Sequence, residues 1–240
     1  MRDAFAAAVV LAAAPLPAAA RADVSVGAAA VSDHRARGLS WSDGRAAARA
    51  RIDAALPSGL EASAQAITTR GAERHGGADA AFDVRAGYAA SAGLLQWHAG
   101  ATAHLFSGAR DERDYVELDL GAGVAFGPVD LSLRADYAPP QDAIGGSNLH
   151  VRMQARAALI GTPLTVTAHL GRSTGSRRDG MRANRLRPGG AYRDWRLGAD
   201  YAAGPLTFGL AYSDTDIGRS AAPSHRHSGA TVVASARISL

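Results

Sequence analysis

The chain has 240 residues, with 26 arginines, no lysine, 22 acidic residues, 8 histidines and a formal net charge of +4. It has no cysteine, which excludes disulfides, thiolate nucleophiles and cysteine-bound metal together. The positive excess is too small to argue for nucleic-acid binding, and no run of about 18 apolar residues offers a helical membrane span.

Residues 1–22 read as an export signal. Met1-Arg2 precedes an apolar run from Ala4 to Leu16, interrupted by Pro15, and Ala20-Arg21-Ala22 supplies small residues for cleavage before Asp23. The run is too short to span a bilayer, and its prolines argue against a retained anchor helix. Residues 23–240 are then expected to form one domain.

Twelve segments with period-2 alternation follow, over 24–33, 45–56, 60–69, 79–90, 94–105, 114–126, 129–138, 148–160, 164–172, 191–202, 206–214 and 229–240. In the sixth, Val116, Leu118, Leu120, Ala122, Val124 and Phe126 point one way and Tyr115, Glu117, Asp119, Gly121 and Gly123 the other. The seventh sets Val129, Leu131, Leu133, Ala135 and Tyr137 against Asp130, Ser132, Arg134 and Asp136. The second and eighth segments are the ones open to a helical reading; the second is rich in Ala and Arg and has helical propensity in isolation. An even number of paired strands is the reading that closes a sheet.

The connections alternate in length. Short ones fall at Pro57-Ser58-Gly59, Ser91-Ala92-Gly93, Gly127-Pro128, Gly161-Thr162-Pro163 and Ala203-Gly204-Pro205, and long ones near 34–44, 70–78, 107–113, 138–147, 172–190 and 214–228. An antiparallel barrel in an outer membrane has short turns at one end and long loops at the other. Aromatic residues near segment ends (Tyr88, Phe126, Tyr137, Tyr201, Phe208 and Tyr212) suit interfacial girdles. The expected fold is all-β: a closed, antiparallel, up-and-down transmembrane β-barrel of 12 strands, in the outer membrane of a Gram-negative bacterium. Its apolar faces would meet lipid and its charged faces the lumen. The last segment ends on Leu240, where such barrels usually carry an aromatic residue.

The run Val31 to Gly44 (VSDHRARGLSWSDG) resembles the N-terminal signature of TorF-type porins. Gly100 to Gly108 followed by Tyr115-Val116-Glu117 is similar to a second stretch of that family, and Asp194 to Gly198 and Leu210 to Asp216 resemble its late strands. His34 stands where the family usually has Tyr, Arg45 where Pro is frequent, and His104-Leu-Phe-Ser where Tyr-x-Tyr-Pro is usual. The resemblance implies an outer-membrane barrel called a porin by analogy, with no known substrate.

The charged faces supply the candidate pore lining: Arg49, Arg51, Asp83, Arg85, His98, Glu117, Asp119, Arg134, Asp136, Arg152, Arg156, Arg196, Asp200 and Arg237. These groups either line a water-filled channel and set its ion selectivity, with the arginine excess favouring anions, or pair across strands and fill a narrow barrel. The long connection from 172 to 190 carries Arg172, Arg177, Arg178, Arg182, Arg185 and Arg187 against Asp179 alone. It reads either as a solvated external loop or as a grip on lipopolysaccharide phosphates.

His225 and His227 form a pair with no third ligand, so no metal or other cofactor is expected. No Gly-x-Ser-x-Gly or His-Glu-x-x-His occurs. Enzyme activity is therefore not expected, although an outer-membrane lipid hydrolase built on a spatial Ser–His dyad stays as a competing class. A non-conducting structural or adhesive barrel is the other. The expected function is passive diffusion of small polar or anionic solutes, and the expected partners are outer-membrane lipid and lipopolysaccharide.

Overall fold

The computed structural model of the chain describes residues 22–218 and 227–240. The export-signal segment up to Arg21, and His225 of the histidine pair, lie outside the described residues. Among those described, twelve strands close into one antiparallel barrel. They are β1 (Asp23–Val31), β4 (Ala47–Ala55), β5 (Leu60–Ala72), β6 (Ala78–Ala92), β7 (Leu95–Ser107), β8 (Tyr115–Phe126), β9 (Val129–Gln141), β10 (Gly146–Ala158), β11 (Leu164–Thr174), β12 (Tyr192–Ala203), β13 (Leu206–Thr215) and β14 (Thr231–Ser239).

Each strand pairs with its neighbours in sequence order, and β1 closes the wall against β14. Two further short strands, β2 (Arg35–Ala36) and β3 (Leu39–Ser40), pair only with each other and lie outside the wall sheet. Both segments with helical propensity are strands. The ladder supplies backbone partners along their whole length, and this outweighs the small helical preference of Ala and Arg.

The faces divide as alternation requires. Leu118, Leu131 and Val151 are 52%, 44% and 38% exposed, whereas Glu117 is 5% exposed. The apolar stripe looks outward and the ionic stripe inward, opposite to a soluble barrel. Tyr88, Trp97, Phe126, Tyr201 and Phe208 crowd the short-turn end of the outer wall, and Tyr137 and Tyr212 the other. Each of the five short turns contains a glycine at positive φ, at Gly59, Gly93, Gly127, Gly161 and Gly204.

The packed apolar cluster sits at the long-loop mouth rather than mid-barrel. Tyr115, Ala138, Ala143, Ile144 and Leu186 form it, with Phe106 against them.

Candidate functional site

The site is the barrel lumen, and its two halves differ. From the short turns up to the waist, charged side chains lie along the wall. Arg51 pairs with Asp53 at 2.5 Å and Arg237 with Asp200 at 2.6 Å, with all four side chains about one third to one half exposed. Arg85 reaches Asp119 at 2.9 and 3.0 Å and Glu61 at 3.1 Å. Arg134 binds Asp136 at 2.7 Å and approaches Asp119 at 3.4 Å, and His98 stands 3.8 Å from Asp119.

Glycines let these long side chains lie flat. A Cβ at Gly87 or Gly100 would come 2.7 Å from an Arg85 guanidinium nitrogen and 2.8 Å from a backbone carbonyl. Each of these pairs joins groups on one strand or on strands no more than two apart, so none crosses the lumen. Arg49, Arg152, Arg156 and Arg196 also project from the lumen face and make no ion pair among the described residues.

The half nearer the long loops holds the chain's own first loop, folded inward against the wall. The β2–β3 hairpin turns at Arg37 (φ 54°) and Gly38 (φ 73°), two successive left-handed residues as a two-residue hairpin loop demands. A Cβ at Gly38 would collide with the Thr215 side chain, so the tip sits against the barrel wall.

Asp33 is the hub that shapes the segment. It accepts from Arg35 Nε at 2.7 Å and from the hydroxyls of Ser40 and Ser42. Arg37 then grips the wall. Its guanidinium donates to both Glu117 oxygens at 2.9 and 2.6 Å and stands 3.7 Å from Asp136, while Tyr192 Oη donates to the Arg37 carbonyl at 2.9 Å. Burial alone would lower the pKa of Arg37, but Glu117 and Asp136 outweigh it and raise the pKa above its ordinary value.

The network runs on through the wall. Glu117 contacts His104 Nε2 at 3.3 Å, His104 Nδ1 contacts Asp83 at 2.7 Å, and Gln65 donates to Asp83 at 3.1 Å. Above it, Trp41 lies 4.6 Å from the His75 ring, which stacks on Phe106 at 4.7 Å. Burial, helped by the charge of Arg185, holds the His75 pKa well below its ordinary value, so the ring stays neutral.

All fourteen candidate lining residues project from the lumen side of their strands. Glu117, Asp119 and Asp136 are nonetheless buried by the hairpin or by their partners. The 172–190 expectation needs correcting at three of its six arginines. Arg172 belongs to β11, and Arg185 and Arg187 are buried rather than solvated.

Arg187 donates to the carbonyls of Gly175, Ser147 and Ser176 at 2.7, 2.8 and 2.5 Å. Arg185 lies 4.3 Å over the Phe106 ring and donates to the carbonyls of Arg113 and Ala143. Burial brings the Arg185 pKa down to about 10, which leaves it cationic at neutral pH. Arg177, Arg178 and Arg182 stay exposed around a one-turn helix, α1 (Gly180–Ala183). The Arg187→Ala variant should lose about 3 kcal/mol, since its charge-assisted bonds go and three carbonyls lose their donor. Urea unfolding of the refolded barrel measures this.

The structure also brings a serine and a histidine together. Ser173 Oγ is 3.0 Å from His150 Nδ1, and Asp194 Oδ1 is 3.7 Å from that same nitrogen. A nucleophile relay needs the serine on one ring nitrogen and the carboxylate on the other. Here both address one nitrogen, and all three side chains are almost wholly buried. Asp194 instead holds His169 at 3.0 Å.

Arg37, Trp41, His75, Ser173, Tyr192 and Asp194 are not among the lining candidates that the sequence offers, although Arg37, Trp41 and Asp194 lie in the stretches that carry the family resemblance. For the first two the available signal was a tryptophan and an Arg-Gly pair in a supposed external loop. His227, also in a loop, stands 3.6 Å from Asp43.

A family model described as "Bacterial protein of unknown function (Gcw_chp)" matches residues 16–239. The chain belongs to the Gcw_chp family. No curated protein matches it. Among solved structures it is similar to the KdgM porin, with a TM-score of 0.59 at 8% identity over 90% of this chain and 99% of that one. An outer membrane channel from Pseudomonas putida F1 gives 0.51 at 10% identity over 90% and 94%. LpxR from Salmonella typhimurium gives 0.50 at 10% identity over 90% and 99%. At these identities the likeness establishes the fold alone: the Gcw_chp chain is a closed twelve-stranded antiparallel barrel like those of outer-membrane proteins.

Proposed function

We propose that this Gcw_chp protein is an outer-membrane channel for passive diffusion of small polar or anionic solutes, closed at its long-loop mouth by its own first loop. The observation that carries the reading is the unequal state of the lumen charges. The lumen-face carboxylates Glu61, Asp83, Glu117, Asp119 and Asp136 each have a cationic or histidine partner. Arg49, Arg152, Arg156 and Arg196 have none among the described residues. Asp130, opposite Arg156 in register, is likewise without an ion pair among the described residues, so a solute in the lumen meets an excess of positive charge with free donors. The TorF-type resemblance of residues 31–44, export by a cleaved signal and outer-membrane residence all fit this reading, which includes no covalent step.

Reversal potentials in asymmetric salt, recorded on the refolded protein in planar bilayers, test it. The intact protein should favour anions. The variant carrying Arg49→Glu, Arg152→Glu and Arg196→Glu should favour cations, because lining charge sets selectivity. Cation selectivity in the intact protein would overturn the proposal. A non-conducting structural barrel is the second reading, favoured by the buried hairpin and by the Arg185 and Arg187 contacts that hold the mouth shut. Silence from a barrel lacking the hairpin would establish it.

A further inference from the structure

On the outer wall, hydrocarbon-facing strand positions carry apolar or small side chains. Outside the β5 bulge that holds Arg70, ionic residues at outward strand positions are confined to one place among the described residues. Arg172 on β11, Arg193 on β12 and Asp214 on β13 lie on three adjacent strands at the long-loop end. Arg172 and Arg193 are directly opposite in register and both are exposed.

Like charges directly opposite on one sheet face destabilise the pairing, and neither guanidinium has an ion-pair partner among the described residues. The nearby carboxylates are engaged elsewhere. Asp214 accepts from Tyr212 Oη at 3.0 Å and from the Thr215 amide at 2.8 Å, and Asp216 accepts from the Arg193 backbone N–H at 2.6 Å.

One step toward the membrane centre, Leu170 and Trp195 form the next outward cross-strand pair. Two residues along a strand is roughly 7 Å. The surface thus presents two unpaired guanidiniums immediately above an apolar ledge, at the edge of the membrane belt.

We propose that Arg172 and Arg193 bracket a phosphate of an outer-leaflet glycolipid, whose acyl chains lie against Leu170 and Trp195. An anion between the two guanidiniums turns their repulsion into shared charge-assisted bonding. The ledge selects a membrane-anchored phosphate over a free one. Arg177, Arg178 and Arg182 of the neighbouring loop are not required.

The test titrates the purified full-length barrel, in detergent, with bisphosphorylated lipid A, dephosphorylated lipid A and inorganic phosphate, reading bound lipid by native mass spectrometry. Bisphosphorylated lipid A should bind at least roughly tenfold more tightly than the dephosphorylated form, the scale of one lost charge-assisted contact. The Arg172→Gln/Arg193→Gln variant should lose that difference. Arg178→Gln/Arg182→Gln should keep it, and Arg172→Lys/Arg193→Lys should keep part of it.

Heat-modifiable migration on gels checks that each variant is folded, and removing two like charges should not impair folding. Unchanged lipid A binding by the Arg172→Gln/Arg193→Gln variant would sink the proposal. So would loss in Arg178→Gln/Arg182→Gln, or displacement of lipid A by equimolar inorganic phosphate. The readout needs no ion current, so it stands or falls separately from the channel reading.

Discussion

Releasing the hairpin from the lumen should raise the single-channel open probability sharply, and the smallest change that does so is Arg37→Ala. The Arg37 guanidinium supplies the charge that Glu117 and Asp136 face, and its carbonyl receives Tyr192. Breaking a buried pair by removing one partner costs up to about 3–5 kcal/mol; the low end applies here, because His104 still contacts Glu117 and Arg134 still holds Asp136. Here that cost falls on the closed state, since in the open state Glu117 meets water. The hairpin keeps its own shape, because the Asp33 hub with Arg35, Ser40 and Ser42 is untouched. A shift of about 3 kcal/mol changes the open-to-closed ratio on the order of a hundredfold. Gly38→Val should act in the same direction, through the collision with Thr215 and the strained backbone. Planar-bilayer recordings of open probability decide it. Identical traces from intact protein, Arg37→Ala and Gly38→Val would mean that the hairpin does not gate current.

The wall was legible in the sequence because a strand half in lipid and half in water must alternate without exception. Val116 to Val124 and Val129 to Tyr137 do so, and the short turns are marked by glycines that the backbone needs at positive φ. The inward fold of residues 32–44 was not legible. Its local composition is that of an exposed loop, and what pulls it in lies far along the chain: Glu117 is 80 residues from Arg37 and Tyr192 is 155. Residues 32–44 pack against the wall through Arg37 and Tyr192, so their residue pattern reports that packing rather than exposure.

Arg185 and Arg187 were hidden for a related reason. Counting charges along 172–190 cannot distinguish a guanidinium in water from one whose terminal nitrogens cap loop carbonyls. Whether the ionic lining pairs across the bore or along its wall also needed the register, because the same residues serve either arrangement.

The orientation of the wall itself predicts a stability effect of similar size that depends on face alone. Leu133 stands near the middle of β9, 55% exposed on the outer face, with Met153 and Ala122 opposite it. Ser132 is the adjacent residue and points into the lumen, opposite Gln154 and Gly123. Leu133→Arg places a guanidinium at the bilayer midplane and should destabilise the barrel by about 2–4 kcal/mol in phospholipid vesicles. Ser132→Arg adds the same group one residue away and should cost well under half as much, because the lumen already holds Arg134 and Arg152 in solvent contact and Gly123 leaves room for the new side chain. Reversible urea unfolding in lipid, followed by tryptophan fluorescence, gives both values on one protein. The difference between the two measures the wall directly, since they share strand, depth and chemistry and differ only in face. If Ser132→Arg were the more damaging, the ionic stripe would be the one that meets hydrocarbon, and a channel through the centre would have no polar lining to conduct along.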